Sequence, residues 1–253
     1  MIQRAPLIAG NWKMFKTASQ AKTFLMDLKH AAAGASGVEI MVAPPFTALT
    51  AAQEILAGSN VKFGAQNVFW EAEGAFTGEI APAMLTDLGC TYVIIGHSER
   101  RQYFGETDET VNKKIAVAVK HNLRPVFCVG ETEDERKSAK TFSVLDKQLQ
   151  KGLQELDVIS LADLVIAYEP VWAIGTGNTA TSAQAEEVHA FLRTKLAQML
   201  GRDFASQTRI LYGGSVKPAN IKELMAQDNI DGALVGGASL DVQSFMQIVK
   251  FNC

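Results

Sequence analysis

Three cysteines in 253 residues are too few for a disulfide framework, and their odd number leaves at least one without an intramolecular mate. Cys90, Cys128 and Cys253 also lack metal-ligand spacing, so the thiols are expected to be reduced, as in a cytoplasmic protein. Long hydrophobic runs are absent as well. Stretches such as Tyr92-Val93-Ile94-Ile95 fall far short of the ~20 apolar residues that span a bilayer. Ile2-Gln3-Arg4-Ala5-Pro6-Leu7 has no charged-then-apolar leader pattern, and a soluble chain is expected. Neither sign of charge dominates. The formal net charge of −3 offers nucleic acid no basic face, so a phosphate ligand would need local backbone donors or a single lysine. With no low-complexity linker and no break in composition, one domain over 1–253 is expected.

What the chain does have is apolar residues, 47% of the total, in short runs that alternate with longer segments of helical period. The strand candidates are Leu7–Ala9, Ile40–Ala43, Val61–Phe63, Tyr92–Ile95, Val126–Val129, Leu164–Tyr168, Arg209–Tyr212 and Gly232–Val235. Each is nearly continuous in apolar character, the signature of a strand buried on both faces. Between them, Ser19 is expected to cap a helix carrying Phe24, Leu25 and Leu28. Thr107 opens another, with Val111, Ile115 and Val119, and Ser182 precedes a third. Eight strand-then-helix units in this length predict a (β/α)8 barrel of parallel strands surrounded by helices. A doubly wound open sheet is the alternative. Its usual G-x-G-x-x-G turn is replaced after the first strand by Gly10-Asn11-Trp12-Lys13.

A parallel barrel gathers all its strand C-termini on one rim, where residues distant in sequence meet. Asn11 and Lys13 follow the first strand, Gln66 and Asn67 the third, and His97, Ser98 and Glu99 the fourth. Glu169 follows the sixth, Gly213-Gly214-Ser215 the seventh and Gly236-Gly237 the eighth. Glu169 stands between a buried strand and a stiff Pro170-Val171-Trp172 corner, and a small, glycine-bearing tip (Ala173 to Gly177) comes next. That order suits a general base fixed on a strand with a mobile lid attached. His97 precedes a possible helix start at Ser98, whose N–H groups disfavour imidazolium and suit a neutral, hydrogen-bond-donating ring. Lys13 is placed to balance an oxyanion or a phosphate. The two glycine pairs open into possible helix starts, where small residues let backbone N–H groups reach phosphate oxygens.

Five segments, Gly10–Met14, Gly96–Arg101, Ala167–Gly177, Leu211–Val216 and Gly232–Ala238, together resemble the triosephosphate isomerase family, in the family's order and across nearly the whole chain. The resemblance implies interconversion of dihydroxyacetone phosphate and glyceraldehyde 3-phosphate, in glycolysis and gluconeogenesis, with neither metal nor organic cofactor. It implies Glu169 as base and neutral His97 as electrophile, assisted by Lys13 and Asn11. Backbone groups of Gly175, Ser215, Gly236 and Gly237 would hold the phosphate, Glu99 would support Lys13, and Tyr212 would latch the lid. The apolar loop 66–82 resembles the family's interdigitating loop, with Thr77 reaching Asn11 and Lys13 of a second subunit, so a homodimer is expected. Phe15, Asn178 and Ala139 depart from the residues common in the family, Asn, Lys and Gly respectively. The rivals are a Schiff-base aldolase built on Lys13, which borohydride trapping would reveal, and a barrel kept only for binding.

Overall fold

The computed structural model describes residues 4–173 and 180–252. Along the chain come β1 (Leu7–Asn11), α1 (Ala18–Ala32), β2 (Glu39–Ala43), α2 (Leu49–Leu56), β3 (Val61–Ala65), α3 (Pro82–Asp87), β4 (Tyr92–Ile95), α4 (Ser98–Phe104) and α5 (Asp108–Lys120). They are followed by β5 (Arg124–Val129), α6 (Glu133–Lys137), α7 (Thr141–Gly152), β6 (Val165–Tyr168), α8 (Ser182–Leu200), α9 (Arg202–Gln207), β7 (Arg209–Tyr212), α10 (Ile221–Met225), β8 (Gly232–Val235) and α11 (Val242–Val249). The eight strands pair in parallel in sequence order, and β8 returns to β1 to close the barrel. An open sheet is thereby excluded.

Side chains alternate across each strand, and here both faces are buried. Leu7, Ala9, Met41, Tyr92, Ile94, Val126, Val165, Ala167, Leu211 and Leu234 pack together inside the barrel. Their neighbours Ile8, Ile40, Val93, Phe127, Ile166, Ile210 and Val235 join the larger cluster that the helices cover. This arrangement explains why the strands read as continuous apolar runs instead of alternating ones. The N-terminal end of the barrel is stoppered by polar side chains: Arg209 pairs with Glu39 at 2.6 Å and donates to the Tyr92 hydroxyl at 2.9 Å.

Helix starts follow their caps. Thr17, not Ser19, caps α1, because Thr17 and Gln20 form a reciprocal capping box two residues ahead of the expected position. Phe24, Leu25, Leu28 and Ala32 then fall on the buried face. Thr107 caps α5 as expected, and Thr181 caps α8. No helix among the described residues is long and apolar enough to cross a membrane.

Candidate active site

The alternation that fills the barrel also aims its rim. Continuing the inward series Leu7, Ala9 brings Asn11 to the mouth, and continuing Val165, Ala167 brings Glu169 there. The same step from Leu211 and Leu234 reaches Gly213 and Gly236. A Cβ at Gly213 would lie 2.9 Å from Glu169 Cγ, and one at Gly236 would lie 3.5 Å from Lys13 Cε. Glycine at these two places leaves the mouth open between Glu169 and Lys13.

Lys13 stands in the turn after β1 with φ of 51°, a left-handed conformation that a residue with a Cβ seldom takes. The turn is tied from two sides. Asn11 Oδ1 accepts the Lys13 N–H at 3.0 Å, and Gln66 Nε2 donates to the carbonyls of Lys13 and Ala43, both at 2.8 Å. Lys13 Nζ lies 2.6 Å from Glu99 Oε1. This anionic partner is the reverse of the apolar or cation-crowded pocket that activates a nucleophilic lysine.

His97 is the N-cap of α4, and its Nδ1 accepts the Glu99 N–H at 3.2 Å. That bond assigns the proton of the neutral ring to Nε2. Nε2 faces Glu169 Oε1 at 3.0 Å. Glu169 Oε2 accepts the Ser98 N–H at 3.0 Å, and Oε1 lies 3.4 Å from the Ser98 hydroxyl. Burial resists charge on Glu169, but the His97 contact and the Ser98 N–H outweigh it and hold the carboxyl below its ordinary value. Burial likewise lowers the His97 pKa, yet the facing Glu169 carboxylate, with Glu99 behind it, draws the balance upward. The two shifts are one interaction seen from either end. The Glu99 N–H at Nδ1 opposes that upward pull, because it binds the nitrogen that a second proton would occupy.

Asn11, Lys13, His97 and Glu169 share a cleft of about 350 Å³ with Gly213, Gly214, Ser215, Gly236 and Gly237. A larger cleft, about 760 Å³, opens on the other side of Glu169 between α4 and α6. Among the described residues, neither Lys13, His97 nor either glycine pair forms part of its walls, so the smaller cleft is the one that gathers the candidate residues.

The glycine pairs behave differently from each other. After β8, Gly236 begins a 3-10 turn, Gly237–Leu240. After β7 no helix starts until Ile221, because Asn220 closes the intervening turn by accepting from Lys217 N–H and donating to the Ser215 carbonyl. The expected helix start at Gly213–Val216 is therefore corrected. Gly214 serves another end: a Cβ there would meet the Tyr212 hydroxyl at 2.3 Å and Pro170 Cγ at 3.0 Å. Burial pushes the phenol up to about 12, with a backbone hydrogen bond at Ala180 acting in the opposite direction. Gly175, Asn178 and the lid expected over Ala173 to Gly177 lie outside the described residues beyond Ala173. Thr77 is exposed on the 66–82 loop and is not a wall of the cleft.

One carboxylate went unmarked in the sequence. Glu131 is fully buried and accepts from Trp172 Nε1 at 2.9 Å, Tyr168 Oη at 3.1 Å and Arg136 Nη1 at 3.1 Å. It stands just past the Val126–Val129 run, so a polar residue at the end of the fifth strand was the available signal. Among the described residues, no group of three or more His, Cys, Asp or Glu could hold a metal ion.

Residues 6–252 match the family model described as triosephosphate isomerase. The chain is 57% identical to the triosephosphate isomerase of Endomicrobium trichonymphae over 249 residues, covering 98% of this chain and 99% of that protein. Identity to the namesake proteins of Moorella thermoacetica and Citrifermentans bemidjiense is 56% and 54%, with the same coverage. Likeness of this extent, on a closed eight-stranded parallel barrel, means that the chain belongs to the triosephosphate isomerase family.

Proposed function

We propose that this isomerase interconverts dihydroxyacetone phosphate and D-glyceraldehyde 3-phosphate through a cis-enediol(ate), in cytoplasmic glycolysis and gluconeogenesis. The observation that supports this most is the Glu169–His97 pair: a buried carboxylate and a neutral Nε2–H, 3.0 Å apart, in a cleft that also holds Lys13. Glu169 takes the proton from the carbon beside the carbonyl; the C–H electron pair becomes the carbon–carbon double bond, and the carbonyl π pair moves onto oxygen. His97 donates to that oxygen and relays a proton between the two oxygens. Glu169 then returns its proton to the neighbouring carbon, so atoms and charge balance without a cofactor.

The resting contacts prepare both groups. To reach substrate, the carboxylate leaves the Ser98 N–H and the imidazole, the two contacts that hold its pKa down, so it becomes more basic as it becomes a base. The same departure takes away the charge that lifts His97. Burial and the Glu99 N–H remain, and both keep the ring neutral and donating. Lys13 and Asn11 supply positive potential and a polar contact for the developing oxyanion, with Glu99 orienting Lys13. Backbone groups of Gly175, Ser215, Gly236 and Gly237 take the phosphate, and Tyr212, whose hydroxyl meets the backbone at Ala180, latches the lid.

The reading extends to one domain over 1–253 and a homodimer through the 66–82 loop. Phe76 on that loop and Met14, Phe15, Tyr103 and Phe104 near the mouth are exposed, an apolar display that a second subunit would cover. Thr77 would then approach Asn11 and Lys13 of the partner.

A coupled assay with glyceraldehyde 3-phosphate on the wild type and Glu169→Asp tests the assignment. Withdrawing the carboxylate by one methylene should lower kcat by about a hundredfold or more with little change in KM. An inactive wild type, or an aspartate variant as fast as the parent, would refute it.

A further inference from the structure

Pairing between β4 and β5 ends at Ile95 and Phe127, where the chain after β4 turns away into α4. The edge of β5 that faced β4 continues for three more residues and needs other partners. At Cys128 the carbonyl lies 3.4 Å from Arg101 Nη2. At Gly130 both backbone groups are met by a single side chain. Gln148 Oε1 accepts the Gly130 N–H at 2.8 Å, and Gln148 Nε2 donates to the Gly130 carbonyl at 3.0 Å. A carboxamide has the same donor and acceptor as a peptide unit, so Gln148 of α7 completes the ladder where the strand has left.

The opposite edge of that stretch carries the base. Glu169 N–H donates to the Val129 carbonyl at 2.8 Å, and Val171 N–H donates to the Glu131 carbonyl at 3.1 Å. Gly130 lies between these two bonds, so close to Glu169 that a Cβ on it would sit 1.8 Å from the Glu169 carbonyl oxygen. The Glu169 backbone therefore rests on a three-residue ledge, and one glutamine holds the other side of that ledge. The next residue, Glu131, carries the carboxylate that receives Tyr168 and Trp172.

We infer that Gln148 is a positioning residue for the reaction: its carboxamide replaces the missing strand and fixes the Gly130 peptide against which the general base is set. The inference rests on Glu169 being that base. It assigns Gln148 no contact with substrate. Its removal should act on kcat, by about tenfold or more, because small displacements of a reacting group are costly, and should leave KM within about twofold.

The test uses Gln148→Met, which keeps length and loses both bonds, and Gln148→Glu, which keeps the acceptor but sets a negative oxygen against the Gly130 carbonyl. Protonation of that glutamate restores a donor, so the kcat of Gln148→Glu relative to wild type should climb as pH falls from about 8 to 5.5. The ratio for Gln148→Met should stay flat. A residue that serves the fold alone would lower the melting temperature without this pH-dependent recovery. Gln148→Met with a kcat within twofold of wild type, a pH-independent ratio for Gln148→Glu, or failure of both variants to fold would overturn the inference. An inactive wild type would sink the assignment of Glu169 along with it. Active wild type with an unaffected methionine variant would sink this inference alone.

Discussion

The imidazole Nε2 of His97 lies 3.0 Å from the Glu169 carboxylate, although the two residues come from the ends of β4 and β6, with β5 between them. Each holds the other in the state it occupies at rest: the carboxylate ionised and the ring oriented with its proton outward. The pair links backbone geometry at two strand ends to the acid–base properties of the cleft.

That link sets the acid limb of the pH profile. Burial alone would raise the Glu169 pKa, and the His97 contact is the main cause that reverses it, leaving a folded value below 4.5. A base with a lowered pKa stays active until the pH falls through that lowered value. Replacing His97 by Gln removes the imidazole contact and leaves the burial. In His97→Gln the acid limb of kcat/KM, which reports the free enzyme, should shift to higher pH even as the rate falls. A limb that stays in place would show that His97 does not govern the carboxylate.

His189 gives a separate test of stability. It is fully buried on α8, its ring centroid 5.9 Å from Tyr168 and 6.4 Å from Tyr212, and burial drives its pKa from 6.5 to about 3. Between those values the unfolded chain binds a proton that the folded chain refuses, so stability falls as pH drops through the window. The slope from this one group is about 1.4 kcal/mol per pH unit. Urea unfolding at fixed protein concentration between pH 6 and 4 should therefore be flatter by about that amount in His189→Gln. Equal slopes would mean that some other group controls acid sensitivity.

Ala139, which stands where the family resemblance leads one to expect glycine, is exposed and has φ of 54°. A left-handed alanine carries a penalty of about 1–2 kcal/mol that glycine avoids, offset in part by the greater freedom of glycine in the unfolded chain. Ala139→Gly should raise the unfolding free energy by about 0.5–1 kcal/mol with kcat unchanged. A lower melting temperature for this variant would refute the strain argument.

Much of this was legible from residue order because the barrel converts sequence position into height. β4, β7 and β8 begin and end where their apolar runs do, since each run is followed by glycine or a turn. β1 proved longer than its apolar run, because pairing with β2 continues through Gly10 and Asn11. Asn11, Lys13, His97 and Glu169 could be gathered on paper because a parallel barrel sends every strand end to one rim. The cap of α1 was misplaced because Ser19 and Thr17 are both good caps, and the matching Gln20 decides for Thr17. Gln148 gave no signal, since a glutamine inside an amphipathic helix looks like any solvated face. Its meaning comes from a strand that stops early elsewhere.

The ring of strands has one more property. A free-edged sheet could let a single strand slide, but here any slip must be carried by every neighbour until it comes back to where it began. Advancing β6 by one position would swing Glu169 toward the helices and would misalign seven other strands in the process. The accuracy with which the carboxylate is aimed is thus guarded by topology as well as by local bonding, and local damage to the mouth leaves it the same azimuth.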